Sequence, residues 1–193
     1  MYIDGKRIWN AAHVFDDVLP EQMASEVWST CENMHWGFGW KSSKGRADSQ
    51  LYWHVDLANS ADAAVPLLKE MWEYLIDGPL KQFHIQHFYR SYANAHTYGC
   101  HGEVHRDDGD WTLIYYPRLD WNVKWLGGTQ IWDYDEEEIT DTVVYKGNRL
   151  LAFPGKLPHN MQEVSRDCKQ LRYCIVFKCH ADSKRTEHYG QVE

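Results

Sequence analysis

From Pro79 onward the chain breaks into about eight short strand-forming runs with no long helix between them. They are Phe83 to Tyr92, Gly102 to Asp107, Trp111 to Tyr116, Thr129 to Tyr134, Thr142 to Tyr145, Arg149 to Phe153, Met161 to Val164 and Leu171 to Cys179. Each is rich in aromatic or β-branched residues, and Gly, Pro, Asn and Asp turn signals separate them. Strands this short cannot each bury an apolar face alone. Joined by turns instead of crossover helices, they close into a sandwich or barrel. The chain is therefore expected to be mainly β.

Helices are confined to the first eighty residues. Pro20 followed by Glu21 suits a first helical turn, and Met23, Val27 and Cys31 recur at helical spacing, so a helix is expected to about Met34. A second, capped by Ser60, is expected to about Ile76, with Leu67, Leu68, Met71, Trp72 and Leu75 on its apolar face. Asp77-Gly78-Pro79 ends it. Gly37 to Gln50 is polar and glycine-containing, and reads as a loop or, more sharply, a substrate lid. Ile8 to Leu19 reads as a short strand or loop, and Leu51 to Leu57 as a strand.

The run Gly102-Glu103-Val104-His105-Arg106-Asp107 carries the first chemistry. On a strand, positions i and i+2 share a face, so His105 and Asp107 would offer an imidazole and a carboxylate to a common point. A third ligand is available in His159, which follows Phe153-Pro154-Gly155 at the start of a strand candidate. Two His and one carboxylate with open coordination positions suit non-haem Fe(II). A structural zinc site would close its shell, usually with Cys. Arg172 then stands inside the apolar run Leu171 to Phe177. A charge there is costly to bury unpaired, and a dicarboxylate cosubstrate would pair it bidentately.

A second His-x-Asp, His54 and Asp56, lies before the β-rich region without the Gly-Gly or Phe-Pro-Gly context, and reads as structural. The acidic run Asp133 to Glu138 reads as a solvated turn, because adjacent carboxylates repel without a fixed cation. His101 reads as a surface residue close to the motif, and His84, His87 and His96 have no ligand spacing.

Composition narrows the class. The net charge of −8 disfavours a phosphate backbone as partner. Ten Trp and twelve Tyr suit strands and concave pockets. Five Cys with no CxxC pair read as free thiols in a reducing compartment. With no signal-like apolar core at the N-terminus and no run long enough to span a bilayer, a cytoplasmic protein without a membrane partner is expected.

Taken in order, His105-x-Asp107, Leu113-Ile114-Tyr115-Tyr116, Asp120-Trp121, Gly127-Gly128, Arg149 to Phe153, His159 and Arg172-Tyr173 resemble the Fe(II)/2-oxoglutarate-dependent dioxygenases. Within that superfamily they look most like the prolyl-4-hydroxylase group. The resemblance covers about Phe83 to Cys179. It implies a double-stranded β-helix, a jelly roll of the cupin-like kind, over 81–180, with a helical extension and loop at 1–80 packed on it and a tail at 181–193, all one domain. It implies that His105, Asp107 and His159 hold Fe(II). It also implies that Arg172 and Tyr116 hold the distal carboxylate of 2-oxoglutarate, with Tyr92 a pocket tyrosine, and that O₂ is the second cosubstrate. Because Asp107 is present, hydroxylation rather than halogenation is the implied reaction, on a peptidyl residue or a free amino acid-like small molecule. Two positions depart from the pattern. Val176 replaces a Thr that assists the distal carboxylate, and Lys178 replaces an aromatic at the substrate mouth of the hypoxia-sensing enzymes, so a peptidyl-proline substrate does not follow. Lys178, six residues after Arg172, also echoes the second Arg of oxidative nucleic-acid demethylases, which is one alternative; a non-catalytic jelly-roll binding protein is the other.

Overall fold

A computed structural model describes residues 2–3, 6–7, 12–41 and 50–181. Twelve strands and two α-helices are present among them. In chain order they are β1 (Tyr2–Ile3), β2 (Lys6–Arg7), β3 (His13–Phe15), α1 (Glu21–Glu32), β4 (Gly37–Trp40), β5 (Tyr52–Ala58) and α2 (Pro66–Asp77). There follow β6 (Ile85–His96), β7 (Trp111–Tyr116), β8 (Thr129–Trp132), β9 (Ile139–Val143), β10 (Arg149–Pro154), β11 (His159–Met161) and β12 (Arg172–Ala181). A seven-stranded antiparallel sheet runs β3-β10-β7-β12-β6-β5-β4, a three-stranded sheet runs β11-β8-β9, and β1 and β2 form a separate pair. This is the mainly β jelly roll with flanking helices that the strand pattern and the resemblance led us to expect.

The large sheet is apolar on both faces, and strand periodicity sorts its side chains. Along β12, Tyr173, Ile175, Phe177 and Cys179 join the core beneath the helices, together with Leu113 and Tyr115 of β7 and Ala93 and Ala95 of β6. Val27 and Cys31 of α1 and Met71, Trp72 and Leu75 of α2 fill the same core. The alternate residues Cys174, Val176, Ile114, Tyr116, Leu151 and Phe153 face the small sheet in a second core with Ile131 and Val143. A central strand so covered must be apolar throughout, which explains the unbroken run from Tyr173 to Phe177. Arg172 and Lys178 fall on the face toward the small sheet, in phase with Cys174 and Val176.

Several local expectations change. The first eighty residues are more than a helical extension, because β3, β4 and β5 continue the large sheet. Gly37–Trp40 is a strand paired with β5, not loop, and residues 42–49, the rest of the expected lid, lie outside the described residues. The second helix begins at Pro66 with Val65 before it, not at Ser60. Pro66 fits because its missing N–H would be unpaired at a first helical turn anyway. The Ser60 hydroxyl instead accepts from Ala63 N at 3.3 Å, closing a turn. Residues 182–193, the expected tail, are outside the described set. No helix among the described residues is long and apolar enough to cross a membrane.

Candidate metal centre

Gly102 to Asp107 is not a regular strand. His105 forms only an isolated antiparallel bridge, and its partner is His159 at the start of β11. The two backbones exchange N–H···O bonds of 3.0 Å. The segment is tied to residues 155–164 at intervals: Gly102 N donates to Met161 O at 2.9 Å and Asp107 N to Gly155 O at 2.7 Å. This zipper, rather than strand alternation, aims the His105 and Asp107 side chains. The glycines are needed for the close approach. A Cβ on Gly102 would lie 2.8 Å from Met161 N, and one on Gly155 would lie 2.3 Å from Gly109 O. The Phe-Pro-Gly turn therefore holds the backbone of Asp107 as well as delivering His159.

One ligand atom each from His105, Asp107 and His159 lies within 4.8 Å of the other two. The Nδ1 of His105 meets the carbonyl of Glu103 at 2.8 Å, and the Nδ1 of His159 meets that of Leu157 at 2.8 Å. With a carbonyl as partner, each Nδ1 must donate, which leaves both Nε2 lone pairs free. Those Nε2 atoms face the carboxylate, His105 at 3.6 Å from Oδ1 and His159 at 3.3 Å from Oδ2. Burial lowers the pKa of both imidazoles, His159 to about 4, and His105 is lowered further by its neighbour His159. Neutral rings with free Nε2 atoms beside a buried carboxylate are what a divalent cation requires. Thr112 Oγ1 donates to Asp107 Oδ2 at 2.6 Å and fixes the carboxylate's rotation.

The triad faces a pocket between the sheets whose lining includes Tyr92, His96, Thr129, Arg172 and Lys178. Arg172 is 2 % exposed. Its Nε donates to Gly127 O at 2.9 Å and one Nη contacts Cys174 Sγ at 3.2 Å, with no ion pair to a described carboxylate. A buried guanidinium with donors to spare is poised for an anion. Tyr116 OH and Thr129 Oγ1 pair at 2.7 Å, and the guanidinium lies 5.8 Å from the Tyr116 ring and 5.6 Å from that of Tyr145. Thr129, from β8, thus brings a hydroxyl to Tyr116 beside Arg172, a pocket where Val176 supplies none. His96, opposite Arg172 in register, has an Nδ1 with no partner among the described residues, and burial keeps its ring neutral. Tyr92 lines the pocket further along, between Arg90, 4.7 Å from its ring, and Lys178, 5.9 Å away.

Sequence reading alone did not find Thr112, Thr129, Tyr145 or His96 within the site, nor the contact of Lys178 with Asp107. Alternation along the strands was the available signal for Thr112, in phase with Tyr116 on β7, and for His96, in phase with Tyr92 on β6, while Thr129 on β8 had no such neighbour. The other His-x-Asp is built differently. His54 Nδ1 meets Asn94 Oδ1 at 2.7 Å, its ring stacks on Trp40 at 4.0 Å, and Asp56 is held by Arg90 at 3.0 Å. No third ligand joins it among the described residues. His101 is exposed, and its backbone N–H takes the Gln50 side chain at 2.9 Å. The acidic run is a turn in which Asp133 Oδ1 accepts from Glu137 N at 2.9 Å. The five cysteines are free thiols, four of them buried.

No family model and no curated protein matches the sequence. Solved structures do. A prolyl-4-hydroxylase from Pseudomonas putida superposes with a TM-score of 0.64 at 11% identity, covering 88% of this chain and 92% of its own. A prolyl hydroxylase from Trichoplax adhaerens, solved with a hypoxia inducible factor peptide fragment, gives 0.63 at 18% identity, covering 94% of this chain and 88% of its own. HygX from Streptomyces hygroscopicus, solved with nickel and 2-oxoglutarate, gives 0.63 at 9% identity, covering 90% and 84%. At these identities the likeness establishes architecture: the chain has the jelly-roll fold of the prolyl-4-hydroxylases and other 2-oxoglutarate- and Fe(II)-dependent oxygenases.

Proposed function

We propose that the chain is an Fe(II)- and 2-oxoglutarate-dependent oxygenase that hydroxylates a C–H bond of a peptidyl residue or a free amino acid-like small molecule. One observation carries the reading. His105 and His159 of a convergent His-Asp-His cluster line the same pocket as a buried Arg172 that has no ion pair to a described carboxylate. Neither feature is explained by the stability of the fold, since a buried charge and three converging polar groups each cost desolvation unless something is bound.

In this reading His105, Asp107 and His159 hold the metal through two Nε2 atoms and a carboxylate oxygen. Arg172 takes the distal carboxylate of 2-oxoglutarate, assisted by the Tyr116 and Thr129 hydroxyls. Bound Fe(II), 2-oxoglutarate and O₂ together supply the oxidising power, with succinate and CO₂ released. The protein's own part is placement. Glu103 and Leu157 carbonyls fix the imidazole tautomers, Thr112 fixes the carboxylate, and apolar Ile114 and Val176 exclude water from the cavity. Tyr92 belongs to the wall toward the substrate end. That the Trichoplax enzyme was solved with a peptide and HygX with hygromycin B supports a peptidyl or small-molecule substrate here. The chain's net charge of −8 weighs against a nucleic acid.

The test is succinate release with Fe(II), 2-oxoglutarate and O₂, first without added substrate and then with amino acid, peptide and methylated oligonucleotide panels. Metal-dependent succinate formation is expected. Absence of both turnover and Fe(II) binding overturns the reading, and stimulation by the oligonucleotides alone would redirect it to nucleic-acid demethylation.

A further inference from the structure

Lys178 is a pocket residue with an ammonium group to which the proposed chemistry gives no task. It lies near the far end of the β12 face that begins with Arg172, roughly 20 Å along the strand at 3.3 Å per residue. It is 7 % exposed, and its ammonium contacts Asp107 Oδ2. A register shift in the β12–β6 pairing follows it, where the strand bulges. Its cross-strand neighbours are Arg90 on β6 and Thr112 on β7. Arg90 is committed to Asp56, and Thr112 donates to the same Asp107 oxygen. Asp107 is therefore the sole described carboxylate in an ion pair with Lys178, and it is also the carboxylate that a metal would claim.

A charge count over the loaded site leaves a surplus. Burial, with Arg90 beside it, lowers the Lys178 pKa to about 7; counted as an ammonium, Lys178 joins a divalent metal and Arg172 against one Asp107 carboxylate and a cosubstrate dianion, and one positive charge remains unmatched. Apart from Asp107, which sits with the two histidines, no described Asp or Glu is among the residues around the pocket. Resting on the oxygenase reading above, we propose that Lys178 selects the substrate by binding a carboxylate carried by the molecule whose C–H bond is oxidised. The substrate class is then a carboxylic acid, either a free acid or a peptide with an Asp, Glu or C-terminal carboxylate near the target carbon. When that carboxylate enters, the ammonium moves from Asp107 to the ligand and stays paired, so neither charge is left buried alone. Tyr92, whose ring lies 5.9 Å from the Lys178 ammonium, forms the adjoining wall.

The experiment is calorimetric titration of the full chain loaded with Mn(II) and 2-oxoglutarate under anaerobic conditions, where no turnover occurs. The probes are matched pairs: N-acetyl amino acids against their amides, and dipeptides containing Asp or Glu against those containing Asn or Gln. At least one acid is expected to bind about 10-fold or more tightly than its amide, as suits a charge-assisted hydrogen bond. Lys178→Met, nearly equal in volume, should abolish that preference and leave 2-oxoglutarate affinity within about 2-fold; Lys178→Arg should retain it. Melting curves of the metal-loaded variants establish that both are folded. No acid preference in any pair overturns the proposal, as does a preference that survives Lys178→Met. Loss of 2-oxoglutarate binding in Lys178→Met with the preference unchanged would move Lys178 to the cosubstrate subsite. Failure of the wild-type chain to bind 2-oxoglutarate with Mn(II), seen before any probe is added, would instead bring down the oxygenase reading.

Discussion

The chain carries His-x-Asp twice, and the two copies have opposite fates. His54 and Asp56 lie within the paired strand β5, their side chains 3.2 Å apart, with every strong interaction satisfied by a neighbour: Asn94 and Trp40 for the imidazole, Arg90 for the carboxylate. His105 and Asp107 lie on an irregular segment, and the groups they face are ones a ligand would share, His159 Nε2 and the Lys178 ammonium. The local motif is the same. What separates structure from site is whether tertiary neighbours close the donor set or leave it pointing at a cavity.

The comparison can be broken most sharply at the second copy. Asp107→Ala and His159→Ala should each eliminate measurable succinate release and weaken Fe(II) binding by more than the roughly 10–100-fold typical of residues that only orient a ligand. Equal losses from Asp56→Ala would show that the two motifs had been assigned the wrong way round. Next in size, Arg172→Met should raise the 2-oxoglutarate requirement by about 30-fold or more, the equivalent of at least about 2 kcal/mol for a buried charge pair, with Fe(II) affinity little changed. An unaltered requirement would remove Arg172 from the cosubstrate site. Thr112→Val, which deletes the hydrogen bond to Asp107 Oδ2 while keeping shape, should weaken metal affinity about 10-fold. Calorimetric Fe(II) titration reads this directly. Smallest in activity, His54→Ala should cost about 1–3 kcal/mol of stability in urea unfolding through loss of its Asn94 hydrogen bond and Trp40 stacking, with turnover unchanged in the folded fraction.

Much of the fold was legible because a buried strand must repeat its chemistry every second residue. Phe153, Tyr116 and the run from Tyr173 to Phe177 read correctly for that reason. Leu68, Met71, Trp72 and Leu75 repeat at helical spacing and were equally plain, although Pro66, not Ser60, starts their helix. Less visible were β3 and β4. Three or four residues hold no periodicity to detect, and both earn strand geometry by pairing with β10 and β5. In the candidate site, the types of donor were legible and their supports were not. Thr129 reaches Tyr116 across thirteen positions of sequence, and nothing local to either residue announces the contact.

The sequence by itself determined the donor set, the isolated Arg172 in an apolar strand, and the alternation that places Arg172 and Lys178 on one face of β12. These depend on the repeat geometry of consecutive residues, which any stretch of chain carries within itself. Only the tertiary structure decided that His105 and Asp107 converge with His159 through an irregular, hydrogen-bonded zipper, that His54 and Asp56 are satisfied elsewhere, and that Lys178 meets Asp107. Those outcomes depend on strand register and on the path of the connecting segments. Both are fixed by burying two cores at once, not by any property of the residues concerned.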